Sequence, residues 1–148
     1  MSSHRMRLPR LAMVLLGCVV ASAAVVRADG TLNLTVGSLQ FNPCNSETAT
    51  GSVDAHLLVQ VSENGKVKVH RSFHGTLAGN KGNTYQVSSI ANDFFDAPQP
   101  YYDVQFHNNV IGLGDAPNFE VLGTARIFVN ANQEPTGYSA SGQTFICK

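Results

Sequence analysis

The sequence predicts an all-β fold, an antiparallel β-barrel or β-sandwich of about seven to eight strands with at most one short helix. Three observations lead there. Apolar residues recur with period two rather than 3.6. Clusters of Gly, Asn and Pro end the apolar runs at short, regular intervals. The chain has 148 residues without a repeat, linker or low-complexity tract, which is a length for one domain. Periodicity alone leaves barrel and sandwich open.

The first element is not part of that fold. Arg5, Arg7 and Arg10 precede a run from Leu11 to Val26 that reads LAMVLLGCVVASAAVV. A basic start followed by such a run is the pattern of a secretory signal peptide, here residues 1–28. Ala21-Ser22-Ala23 and Val26-Arg27-Ala28 are both small-x-small cleavage sites. The second is preferred because polar Asp29-Gly30 follows it, leaving 29–148 as a single secreted β domain. The alternatives are an uncleaved anchor and a lipobox at Leu15-Leu16-Gly17-Cys18. Sixteen apolar residues are short for a bilayer span, and no later run reaches that length, so the mature chain has no transmembrane segment. The expected location is secreted or periplasmic.

Removing the leader changes the charge. The whole chain has ten basic and ten acidic residues, but Arg5, Arg7, Arg10 and Arg27 lie in the leader and no acid does. The remaining domain carries a net charge of about −4. An acidic surface repels phosphate backbones, so nucleic acid is not an expected partner.

Strands are expected at Thr31–Val36, Leu39–Phe41, Ser52–Val61, Val67–Phe73, Tyr85–Ser89, Tyr102–Phe106, Phe119–Val129 and Tyr138–Cys147. The clearest signal is a hairpin. Val53, Ala55, Leu57, Val59 and Val61 alternate with polar residues, and alternation resumes at Val67 and Val69. A two-residue Asn64-Gly65 turn would set Val61 against Lys68. A three-residue Glu63-Asn64-Gly65 loop sets Val61 against Val67 and Val59 against Val69, and the hydrophobic register selects it. In that register Arg71 falls on the inner face opposite Leu57, which predicts a bulge or strand end. Val87, Ile90, Ala91 and Phe94 form the one helical template, a short turn of helix or an irregular loop before Pro98. In Phe119–Val129 the small residues Gly123 and Ala125 suggest a bend or close contact.

Asn42-Pro43-Cys44 before the hairpin, His56 on its first strand, Tyr85, Ile111-Gly112-Leu113-Gly114, Val129-Asn130-Ala131-Asn132 and terminal Cys147 form a recognisable series. It resembles a group of small exported bacterial all-β proteins of unknown function, which share an N-P-C opening, a V-N-A-N-G-E turn and a terminal Cys. Gln133 stands where that turn carries Gly. The resemblance implies a secreted β domain with a terminal disulfide and assigns no catalytic residues. The residues themselves point the same way: Cys44 and Cys147 are the cysteines left after the leader, and thiols oxidise outside the cytosol. Free thiols or an intermolecular pair are the alternatives.

Candidate chemistry is sparse. The hairpin register puts His56, His70, His74 and Asp54 on one outer face, a weak metal candidate set whose plain reading is a solvated sheet face; no metal and no cofactor is expected. A bulge at Arg71 would move His74 off that face. Gly137-Tyr138-Ser139-Ala140-Ser141 lacks the final Gly of a nucleophile elbow, and no His follows it. Asp93 and Asp96 flank Phe94-Phe95 and are expected in solvent. Phe94, Phe95, Tyr101 and Tyr102 form either a plug at one end of the fold or a contact patch, with Tyr102 inward and Tyr101 outward. Asn33-Leu34-Thr35 is a glycosylation sequon, of use only in a eukaryotic host.

The expected function is a secreted non-catalytic binding module for a small apolar molecule or a surface polymer. The alternatives are a structural or protein–protein interaction role at the cell surface, and a lyase- or isomerase-like barrel enzyme. An enclosed cavity favours the first, a filled interior with an exposed patch the second, and an inward His beside a Tyr or Asp the third.

Overall fold

The computed structural model describes residues 25–27 and 30–148. Most of the predicted leader, with Cys18 and both cleavage sites' flanks, lies outside the described residues. Every described element is a strand: β1 (Val25–Arg27), β2 (Thr31–Asn42), β3 (Glu47–Val61), β4 (Val67–Gly79), β5 (Thr84–Phe95), β6 (Tyr101–Gly112), β7 (Phe119–Val129) and β8 (Pro135–Cys147). Each pairs antiparallel with the next in chain order. Three-residue β1 falls within the segment read as the leader. The other seven strands, β2 to β8, curl into a nearly closed barrel in which β8 returns to lie against β2. A barrel, not a sandwich, is the outcome.

Alternation builds the core. Inward Leu32, Leu57, Val69, Leu77, Tyr85, Tyr102, Phe119 and Ile127 are fully buried, while the residues between them face out. The β3–β4 hairpin has the expected register, with Val61 opposite Val67 and Val59 opposite Val69. Ser62 and Lys66 close the loop, and Gly65 takes the left-handed conformation at φ 80°. Phe119–Val129 is a strand with the predicted bounds. Its partner slips register between Leu122 and Thr124, where Gly123 lies under the Phe106 ring. A Cβ on Gly123 would sit 2.5 Å from Phe106 Cζ, so the small residue marks the close contact anticipated there.

Four expectations are corrected. Thr31–Val36 and Leu39–Phe41 are one continuous strand, because Gly37-Ser38 keeps its pairing with Gly51-Ser52. The helical template Val87–Phe94 is strand: β4 pairs with β5 through Phe95, and cross-strand hydrogen bonds override a four-residue coincidence of spacing. No bulge or strand end occurs at Arg71. It pairs with Leu57 in an unbroken ladder and points inward, 3 % exposed. Asp93 is not a solvent carboxylate, because it also points inward and receives Arg71 Nε at 2.8 Å.

That ion pair fills a split in the wall. β5 and β6 pair only from Tyr85–Ser88 against Asn109–Gly112, and beyond Ser88 they separate. Arg71 reaches through the gap and donates Nη2 to the Gln105 carbonyl of β6, an acceptor that β5 no longer serves. At the far end of the gap Phe95 packs on Tyr102, ring centroids 4.7 Å apart. So Phe95 and Tyr102 form the plug. Phe94 turns out to solvent, 74 % exposed, and Tyr101 faces out beneath Arg126.

The seam between β2 and β8 is held from one end. Cys44, in the β2–β3 turn, and Cys147, at the end of β8, place their sulfurs 2.04 Å apart, at disulfide distance. Beside them Phe41 and Phe145 meet edge to face.

Candidate functional site

The barrel lumen is a cavity of about 230 Å³, partly open to solvent, to which all seven barrel strands contribute. Its apolar wall is Val53, Phe73, Val87, Phe106 and Val121, the inward positions of β3 to β7. Its polar wall is Ser38 and Gln40 from β2, Asn108 from β6, and Tyr138 and Gln143 from β8. The lumen opens at the β2–β8 seam, between Val36–Gln40 and Ala140–Gln143, away from the cysteine pair. The bulge opposite Gly123 lies in this stretch of β8, with Gly142 at φ 63°. The extra residue re-aims the strand and brings Gln143 to the mouth.

The polar wall is incompletely satisfied. Gln40 donates Nε2 to Ser38 Oγ at 2.8 Å, but its Oε1 is buried without a hydrogen-bond partner within the protein. Asn108 Oδ1 is in the same condition. Buried carboxamide oxygens are ordinarily paired, so two on residues that line one cavity stand out. Tyr138 packs against Phe73 with ring centroids 5.8 Å apart. Burial pushes its hydroxyl pKa upward, with the Arg71 charge pulling the other way, so the group is a neutral donor at physiological pH. No ionisable acid or base lines the lumen besides this phenol.

A second polar cluster closes the end of the barrel near the cysteines. Glu47 is fully buried at the start of β3. Its carboxylate accepts from the Tyr85 hydroxyl at 2.5 Å, Asn83 Nδ2 at 2.7 Å, Asn45 Nδ2 at 3.0 Å and the Lys81 amide at 2.8 Å. Asn42 adds a bond from Nδ2 to the Tyr85 oxygen at 3.2 Å. Gly79 makes room: a Cβ there would lie 2.0 Å from Glu47 Oε1. Burial by itself raises the Glu47 pKa, but the hydrogen bonds from Tyr85, Asn83, Lys81 and Asn45 outweigh it and hold the group at about 2. With every oxygen satisfied by the protein, the cluster reads as a structural clamp on the β2–β3 and β4–β5 turns.

A pH dependence follows from the depressed value. The stabilisation from Glu47 is complete above the ordinary 4.5 and is lost as pH falls toward about 2. Urea unfolding at pH 7, 4.5, 3.5 and 2.5 should show stability falling through that window. Glu47→Gln should be less stable at pH 7 and show a shallower fall; an unchanged slope would remove Glu47 as its source.

The predicted histidine face exists but does not converge. Asp54 pairs with His74, His56 with Ser72 and Leu58 with His70, so the four candidate side chains share the outer face. Each is engaged elsewhere. His56 Nδ1 lies 2.7 Å from Asn33 Oδ1, His70 Nδ1 2.9 Å from Asn92 Oδ1, and His74 Nδ1 3.4 Å from Ser88 Oγ. Asp54 accepts from Thr35 Oγ1 at 2.6 Å. Among the described residues no group of three or more His, Cys, Asp or Glu side chains is placed to hold an ion.

Reading the sequence alone missed the lumen's polar residues and the Glu47–Tyr85 clamp. The signal for Asn108 is present in the strand's alternation: Tyr102, Val104 and Phe106 are buried at every second position of β6, and Asn108 continues their phase. Extending β2 through Gly37 would likewise have put Ser38 and Gln40 inside.

No family model matches the chain, and no curated protein or solved structure is significantly similar to it. The resemblance to the exported bacterial group therefore rests on the quoted motifs alone. No helix among the described residues is long and apolar enough to cross a membrane.

Proposed function

We propose that this chain is an exported, non-catalytic binding module that holds a small molecule in its barrel lumen. The observation that carries the reading is the lumen itself, lined by all seven barrel strands and open at one seam. A pocket with an apolar wall and a few polar groups is the usual architecture of a small-molecule site. Its 230 Å³ suits a compact ligand rather than a surface polymer. Export is supported by the leader pattern and by the cysteine pair at disulfide distance.

An enzyme would need an imidazole beside a tyrosine or carboxylate inside the barrel. His56, His70, His74 and His107 all alternate with inward residues and face out. An interaction role has one specific feature in its favour: Ile90 and Phe94, 66 % and 74 % exposed, project from the same face of β5.

Filling the lumen tests the reading. Ala140→Phe places a ring at the mouth. Ligand-observed NMR against a set of neutral fragments of about ten heavy atoms should find binders of the wild type that Ala140→Phe no longer holds. Fragments that bind both proteins equally, or none that bind either, would overturn it.

A further inference from the structure

The four groups of the histidine face do not meet at one point, but two of them come together as a pair. We propose that His56 and His70 form a two-imidazole site for a divalent late transition-metal ion, copper(II) ahead of zinc(II), on the outer face of the β3–β4 hairpin. The site is separate from the lumen and independent of what the lumen binds.

The register places the pair. His56 stands opposite Ser72 and His70 opposite Leu58, so the two histidines are diagonal neighbours on adjacent strands. Their rings lie 6.1 Å apart between centroids, inclined at 69°. An ion about 2.0–2.1 Å from one nitrogen of each ring holds the ring centres about 4.5–6.4 Å apart, the larger value for nitrogens on opposite sides of the ion. The backbone therefore already holds the rings at a bridging distance.

The outer strands fix the tautomers. Asn33 of β2 lies directly opposite His56, and Asn92 of β5 directly opposite His70. Each offers a carboxamide oxygen to Nδ1 of its histidine, at 2.7 and 2.9 Å. A carboxamide oxygen only accepts, so Nδ1 carries the hydrogen and Nε2 of the neutral ring keeps the lone pair. The two nitrogens stand on opposite flanks of an imidazole. With Nδ1 of His56 turned to β2 and Nδ1 of His70 turned to β5, both Nε2 atoms are directed toward the middle of the hairpin. A metal-binding histidine is usually held this way, donating its other N–H to a group that sets the tautomer and the orientation of the ring. Both rings are half-buried, whereas His74 is exposed and turns its Nδ1 toward Ser88 on β5.

Ligand type sets the metal. Imidazole suits copper, nickel and zinc, and affinity in the divalent series is highest at copper. Among the described residues no third His, Cys, Asp or Glu joins the pair. Water therefore fills the other positions, and the ion is exchangeable rather than locked into the fold.

Copper(II) titration of the untagged protein tests the site, with His4 replaced by alanine in every sample so that the leader segment supplies no imidazole. One ion per chain is expected, with two equatorial imidazole nitrogens in pulsed EPR and weaker binding of zinc(II) in competition. His56→Ala and His70→Ala should each abolish the two-imidazole signal, and His74→Ala should leave it unchanged. Asn33→Leu and Asn92→Leu should each weaken copper binding about 10–100-fold. Asn33→Asp, which keeps an acceptor for the Nδ1 hydrogen, should retain it. No binding, a one-imidazole signal, a signal that survives loss of His56 or His70, or one lost with His74 would overturn the proposal. In the protein with both histidines intact, copper should broaden the amide signals nearest His56 and His70 first. That locates the ion even if a variant does not fold, and broadening centred elsewhere would also overturn the proposal.

Discussion

Replacing Cys44 and Cys147 together by serine is expected to lower the unfolding free energy by about 4–5 kcal/mol. The residues are 103 positions apart, and in the chain-entropy account a ring of about that length restricts the unfolded ensemble by this amount. The position of the pair adds a second consequence. β2 and β8 touch but are not hydrogen-bonded neighbours, so the cross-link spans the seam where the barrel closes without a ladder. Without it the seam relies on side-chain contacts such as Phe41 on Phe145. Amide exchange in β8 should therefore accelerate more than in β3 or β4, which are paired on both sides. Urea unfolding of the double variant and of the protein with reductant measures the first effect. Equal midpoints with and without reductant would show that the cross-link contributes nothing. Two titratable thiols in the denatured, unreduced protein would show that it does not form.

Asp93→Ala is expected to destabilise the barrel by about 3 kcal/mol. Arg71 is 4 % exposed in its side chain and Asp93 28 %, so removing the carboxylate strands a guanidinium inside the barrel. Breaking a buried pair in this way costs about 3–5 kcal/mol, and the partial exposure of Asp93 puts the effect toward the low end. Arg71→Met with Asp93→Val should cost less than Asp93→Ala alone, because the double change leaves no unpaired charge and only the Gln105 carbonyl loses a partner. Denaturant unfolding of both variants checks the order. A double variant less stable than Asp93→Ala would mean that the split between β5 and β6 is held by the charges rather than tolerating them.

The split also explains where reading the sequence failed. Ile90 and Phe94 are large apolar residues that face water, and they blur the alternation that would otherwise mark β5 as a strand. Arg71 and Asp93 are charged residues that face inward, and they blur it from the other side. Each breaks the binary pattern for a reason located elsewhere in the chain, on β4, β5 and β6 at once. The β3–β4 hairpin carries no such exception before Arg71, and its register was legible to the residue.

What the sequence determined by itself is whatever depends on neighbours along the chain. Alternation defined the class of fold, and the match of Val61 to Val67 defined the hairpin register. The two cysteines outside the first 28 residues marked the pair that stands at disulfide distance. Tertiary structure alone decided whatever depends on distant strands meeting. Seven consecutively paired strands curl until β8 returns to β2, which made a barrel rather than a sandwich. That closure brought Gln40, Asn108 and Tyr138, from three separate strands, to one cavity. It also enclosed Glu47 among donors from two turns and from Tyr85 on β5, which hold a buried carboxylate ionised by hydrogen bonds. Local pattern encodes which side of a strand is buried. It does not encode how much space the buried sides leave between them, because that is set by the curvature of the whole sheet.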